Sequence, residues 1–282
     1  MPLFRRAADI VLGARPKADV AVPDIAIETA WFEAPVCRNC GDRLDTPYCS
    51  QCGQKAAKRF AWKDIGTETW DRVRLFEIQS VRTLVALIVS PGRLAREYVM
   101  GRRSAHMHPL KLLVALVAVL VLMLAANRYF GHYAFSGSNG DVDRMAQRVM
   151  TYANWSFSLG IVAIFIGSWA VFRRRLGYNA IEHAVLAVYC QNIILAVIIV
   201  NLLPTLTWRN PEFILWHKAA SQYYVPAIKL IVVGIAYRQF FLLKLRSDWP
   251  KLLAACVLYA GVGWALVRIY ASAILWLVSS TI

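Results

Sequence analysis

Acidic side chains are scarce in this chain: 17 Asp and Glu stand against 32 Lys and Arg, and charged residues of both signs fill only 17% of 282 positions. That is too little charge to coat a soluble globule of this length. Also missing are a glycine-rich nucleotide loop, an HExxH pair and a GxSxG elbow, so no familiar nucleotide, zinc-hydrolase or serine-hydrolase chemistry is indicated. A cleavable signal is not expected either. Arg5 and Arg6 precede an apolar stretch that Asp9 and Gly13 interrupt, and the N-terminus is expected to stay in the cytoplasm.

What the chain does have is apolar sequence, 58% of its residues. Five runs, at 109–130, 155–172, 183–203, 225–243 and 252–278, approach the ~20 residues that cross ~30 Å of hydrocarbon. The net charge of +15 would suggest nucleic acid on a soluble chain. Here Lys and Arg flanking the spans account for it. Arg173, Arg174 and Arg175 mark one connection as cytoplasmic, and Lys244, Arg246 and Lys251 mark another. The stretches 127–154 and 204–224 then read as periplasmic loops, which places the C-terminus outside.

Ahead of the spans lie a leader at 1–36 without sustained period, a cysteine-rich unit at 37–54 and a basic amphipathic region at 62–104. Within that last region Ser90 is expected to cap a helix beginning at Pro91 and closing at Gly101, the residue type suited to a left-handed end. Arg93, Arg96, Arg102, Arg103 and Lys111 make this part strongly basic, and anionic lipid headgroups are its expected partner.

The sharpest motif is Cys37-Arg38-Asn39-Cys40-Gly41 followed by Cys49-Ser50-Gln51-Cys52-Gly53. Paired CxxCG knuckles predict four thiolates around one structural zinc, a closed site with no position for substrate. A redox dithiol or rubredoxin-like iron are the alternatives, and the matched pair disfavours the first. The unit is too short to fold without metal. It serves either as a docking head for a cytoplasmic partner protein or as a brace on its own membrane domain. Arg38 and Arg43 against Asp42 and Asp45 leave it neutral, so nucleic acid is not expected.

Inside the third span His183, Cys190, Ile194 and Asn201 share a face, with Gln191 about 80° around at ~100° per residue. His183, Gln191 and Asn201 are thus a candidate polar membrane face, though hydrogen bonding between helices explains them equally. Glu182 and His183 diverge on the helix and do not form an acid–base pair, and Glu182 is expected to pair with the Arg173–Arg175 loop. Lys229, Arg238 and Arg268 are expected to snorkel, His106 and His108 to sit at the headgroup boundary, and Cys190 and Cys256 to be inert core thiols. No catalytic residue is assigned.

The sequences CRNCG and YCSQCGQ, followed by SPG, YVMGRR and the His108-Pro109 entry to the first span, resemble a family of bacterial membrane proteins that carry a domain of unknown function. The likeness runs from Cys37 to about Leu113. It implies an architecture and adds no activity.

The expected fold is an all-α polytopic membrane protein with about five transmembrane helices and a small N-terminal cytoplasmic zinc ribbon, in a bacterial inner membrane. The favoured role is non-enzymatic, with ribbon and basic helices binding a cytoplasmic partner or anionic lipid. A small permease or lipid-handling protein is the rival, and a membrane enzyme acting on lipid or envelope precursors with Glu182 or His183 as base is the third reading.

Overall fold

The computed structural model describes residues 22–61, 78–126, 156–208 and 210–279. Its helices are α1 (Thr29–Glu33), α2 (Ile78–Val89), α3 (Pro91–Val99), α4 (Pro109–Ala126), α5 (Ser156–Phe172), α6 (Ala180–Thr207), α7 (Pro211–Phe240) and α8 (Leu245–Ser279). Among the described residues no strand forms. Two isolated antiparallel bridges, Val36 with Arg43 and Tyr48 with Lys55, shape the cysteine unit. Four helices, α4, α6, α7 and α8, are long and apolar enough to cross a membrane, and α5 is a shorter apolar helix of 17 residues. The chain is an all-helical, multi-pass membrane protein.

Helix α6 is the hub, packing on α2, α3, α4, α5 and α7, while α8 packs chiefly on α5 and also on α7. It starts at a reciprocal cap: Glu182 N donates to Asn179 Oδ1 at 3.0 Å, and Asn179 N donates to the Glu182 carboxylate at 2.7 Å. This satisfies two backbone donors that a helix start otherwise leaves open. The hub position explains why α6 is mostly buried, whereas α7 and α8 turn most of their surface outward, as lipid-facing helices do.

Residues 204–224, read from hydropathy as a loop, are corrected by the structure: they are helical apart from a turn around Trp208 and Asn210. Pro211 sits at the first position of α7, and Asn210 Oδ1 accepts from Glu212 N at 3.0 Å. Caps and propensity set helix ends, while hydropathy finds only the part that matches hydrocarbon. The periplasmic loop expected at 127–154 and the first part of the amphipathic region, 62–77, lie outside the described residues.

The short helix α3 departs most from expectation. It is buried along most of its length, packed on α7 and α6. Gly92 makes this possible, because a Cβ there would stand 2.7 Å from Phe240 N. Ser90 occupies the N-cap position, but its hydroxyl donates back to Ala86 O at 3.4 Å. The open amides of Gly92 and Arg93 instead donate to Gln239 Oε1 on α7, at 3.0 and 3.4 Å. Gly101 closes the helix with φ +107°, as its residue type predicts.

The described part of the leader, from Val22, packs on the helices in a way that its composition does not announce. Ile27 N donates to Leu176 O at 2.9 Å, and the indole of Trp31 donates to Met100 O at 3.0 Å.

Candidate metal centre

Each CxxCG unit folds the same way. Gly41 N donates to Cys37 O at 2.8 Å and Gly53 N to Cys49 O at 2.9 Å, with both glycines at positive φ, 81° and 68°. The segment after each knuckle returns a carbonyl: Cys37 N donates to Asp42 O at 2.7 Å and Cys49 N to Gln54 O at 2.9 Å. All four sulfurs lie within 4.8 Å of one another. Cys37 to Cys52 and Cys40 to Cys49 are each 3.5 Å. Tetrahedral coordination with ~2.3 Å metal–sulfur bonds requires sulfurs about 3.8 Å apart, so the cluster is compatible with one metal ion.

Backbone amides of Cys52 and Gln51 stabilise the Cys49 thiolate and bring its pKa down to about 7, against an opposing contribution from burial. Burial pushes Cys37 up, and it pushes Cys40 to about 12 with the neighbouring thiols adding to it. Cys49 is therefore the thiol most readily ionised among these three, and an arriving cation must displace the protons that the ligand set still holds.

The cysteine unit is clamped to the helices. The Gln54 amide donates to Gly101 O at 2.8 Å, and Ser104 N donates to Gln54 Oε1 at 2.9 Å. Gln54 is 6% exposed, so a single buried side chain joins the second knuckle to the α3–α4 link. Arg38, from the first knuckle, lies 3.8 Å over the Trp31 ring and donates to Trp31 O. Further on, Arg103 covers the Phe60 ring at 3.8 Å, and Asn179 Nδ2 donates to Phe60 O at 3.1 Å. Arg59 Nε donates to Glu182 Oε1 at 3.1 Å, and its Nη2 donates to Gly177 O.

These contacts relocate several residues singled out from sequence. Arg96 and Arg102 were expected at headgroups but are 3% and 7% exposed. Arg96 donates to Tyr178 Oη and to the carbonyls of Pro23 and Ile25, while Arg102 pairs with Glu97 at 3.0 Å. Buried guanidinium groups need such partners, and Pro23 and Ile25 of the leader help to supply them for Arg96. Arg93 stays exposed at 3.5 Å from Glu97, and Lys111 is half-buried on α4. His106 Nε2 lies 3.1 Å from Glu97. Burial acts to raise the Glu97 pKa, but the His106 hydrogen bond and the charges of Arg102, His106 and Arg93 outweigh it, so the carboxyl sits below its usual range.

Glu182 is fully buried, and its partner is Arg59 rather than the expected Arg173–Arg175 loop. His183 is buried too, with Nδ1 3.0 Å from Ser168 Oγ and the ring edge-on to Trp169. Gln191 is buried against Gly160. Asn201 lies far along α6, where Tyr224 Oη donates to its side chain and His217 Nε2 meets its carbonyl at 2.8 Å. The structure thus places His183 and Gln191 on the α5 side of α6 and Asn201 at the opposite end, beside α7.

Sequence reading missed Gln54, Arg59, Trp31 and Gln239. None has a local signature, because each acts across more than 45 positions. The Asn179–Glu182 cap was legible as N-x-x-E before an apolar run.

The family described as "Protein of unknown function (DUF3667)" matches residues 81–121, which take in α3, its closing glycine, the His108-Pro109 entry and the first part of α4. No curated protein and no solved structure matches the chain.

Proposed function

We propose that the chain is a non-enzymatic protein of a bacterial inner membrane, in which zinc held by Cys37, Cys40, Cys49 and Cys52 locks a cytoplasmic cap onto the ends of the membrane helices. The carrying observation is the double hydrogen bond of buried Gln54 to Gly101 and Ser104. A head that presents itself to partners needs no buried side chain committed to its own membrane domain; a brace does. Four thiolates with no oxygen or nitrogen donor favour zinc over harder cations, and a closed sphere is structural rather than catalytic.

The cap, the α5–α6 turn and the α7–α8 turn share one end of the bundle, since Arg59 reaches Gly177 and Arg175 reaches Asp248. Arg173, Arg174, Lys244, Arg246 and Lys251 all belong to that end, which supports its assignment to the cytoplasm. Helix α8 then carries the C-terminus to the other side.

A second reading rests on the exposed outer edge of the ribbon. Tyr48 is 57% exposed there, between Asp45, Thr46 and Pro47 on one side and Ser50 and Gln51 on the other. A cytoplasmic protein partner would dock on this edge, away from the clamp.

Metal analysis of the purified full-length chain tests the brace. One zinc per chain is expected, and none in a Cys49→Ser, Cys52→Ser variant that still inserts. That variant should melt at lower temperature and become open to trypsin at Lys58 and Arg59. A metal-free variant with unchanged melting and unchanged trypsin resistance would overturn the brace, and red absorbance with one iron per chain would overturn zinc.

A further inference from the structure

Two turns that sequence treats as separate cytoplasmic loops are fastened side by side. Arg175, after α5, donates through Nε to Phe241 O at 2.7 Å and through Nη2 to Leu242 O at 3.1 Å. It also grips Asp248 with both terminal nitrogens, at 3.3 and 3.1 Å. Asp248 further accepts from Lys244 N at 3.1 Å. Asp248 is the only acidic residue between 173 and 181 or between 241 and 254, and Arg175 neutralises it.

What faces outward around this staple is five exposed cations: Arg173, Arg174, Lys244, Arg246 and Lys251. The next acid along the chain, Glu182, is buried and already holds Arg59. The two turns therefore bring five exposed cations to the ends of α5, α7 and α8, and the one acid within them, Asp248, is already held by Arg175. Like charges gathered this closely repel one another unless an external anion compensates them. Exposed apolar side chains occupy the same turn, Trp249 at 57% and Leu245 at 49%. A tryptophan beside cations at the end of a membrane helix is a headgroup-level arrangement. A soluble polyanion would have no use for the apolar neighbours.

We infer that the stapled α5–α6 and α7–α8 turns form a binding surface for the phosphate-bearing headgroups of anionic phospholipids, with Arg173, Arg174 and Arg246 as principal contacts and Trp249 set into the headgroup layer. Arginine suits this role because its planar fork meets phosphate oxygens in pairs. The surface adjoins the metal-braced cap, which touches the α5–α6 turn at Leu176 and Gly177, but its cations belong to the two turns and none comes from the ribbon.

The full-length chain, purified in detergent, is offered phosphatidylglycerol and phosphatidylcholine in mixed micelles, and retained lipid is read by native mass spectrometry. The native chain should prefer phosphatidylglycerol, and the preference should weaken steadily as salt is raised. An Arg173→Gln, Arg174→Gln, Arg246→Gln variant should lose about tenfold in affinity for phosphatidylglycerol while its melting in phosphatidylcholine is unchanged. An Arg43→Gln, Lys55→Gln, Lys58→Gln variant, matched in charge loss but altered on the ribbon, should keep it. Equal loss in both variants, no loss in the first, equal retention of both lipids by the native chain, or a preference indifferent to salt would each overturn the assignment. Should the triple variant fail to fold, the native salt series and a single Arg174→Gln variant decide the matter by the same criteria.

Discussion

Arg59 and Glu182 stand 123 positions apart in sequence and meet at 3.1 Å, the carboxylate fully buried and the guanidinium side chain 26% exposed. Glu182 also caps α6 through Asn179 N, so one carboxylate both starts the central helix and anchors the strap that leaves the ribbon. Removing one member of a buried pair costs about 3–5 kcal/mol because the other charge is left without a partner. Arg59→Ala is expected at or below the lower end, since water reaches the arginine. Glu182→Gln keeps an acceptor for Asn179. Denaturant titration of both single variants and the double should show the double well short of the sum of the singles; additive losses would mean that the pair contributes nothing of its own.

His108 gives the chain an acid-sensitive joint. It stands at the N-cap of α4, where Leu110 N donates to its Nδ1 at 3.3 Å, a bond that only the neutral ring accepts. Burial lowers its pKa to about 4, with Lys111 and Arg103 adding to the effect. A histidine held below its unfolded value, ~6.5, stabilises the fold fully above that value and loses the contribution as pH falls toward 4. Melting temperature should therefore drop between pH 7 and pH 4.5. His108→Asn retains a capping acceptor and should make this limb shallower than in the native chain.

Gly92 and Gly261 should respond oppositely to alanine. At Gly92 the added methyl meets the backbone of α7, which cannot yield, and overpacking of this kind costs about 1–3 kcal/mol. At Gly261 nothing lies within 4 Å of the new atom, so alanine should be neutral or stabilising, since glycine inside a helix is worth about 1 kcal/mol less than alanine. Thermal unfolding in a single detergent compares the two directly.

Loading metal into the stripped protein should release protons. Backbone amides bring the Cys49 pKa down to about 7, while burial holds Cys40 near 12 and raises Cys37. About three to four protons per ion are expected at pH 7. Calorimetry in two buffers of different ionisation enthalpy counts them, and a release of one or none would mean that the four thiols do not act as one ligand set.

Much of this architecture is legible from local sequence. The cysteine spacing points to a metal-compatible cluster, and the apolar runs point to membrane helices, because both signals depend on residues a few positions apart. The start of α7 was missed since hydropathy measures match to hydrocarbon and helices continue past it. The burial of Arg96 was missed for a different reason. An arginine on an amphipathic helix reads as solvent-facing until the carbonyls of Pro23 and Ile25 are known to come back over it. Gln54 and Arg175 look like ordinary polar loop residues, and only tertiary structure shows what each one holds.

Gln239 completes the start of α3 from 147 positions downstream. During synthesis, the segment that follows the ribbon leaves the ribosome long before the helix that supplies its cap. Until α7 is inserted, the first amides of α3 lack that acceptor and Gly92 lacks the surface it was small enough to fit. Contacts of such separation in sequence are slow to form. A chain truncated before Gln239 would keep the α6 side of α3 covered but would leave its first amides without this acceptor and its α7-facing side bare.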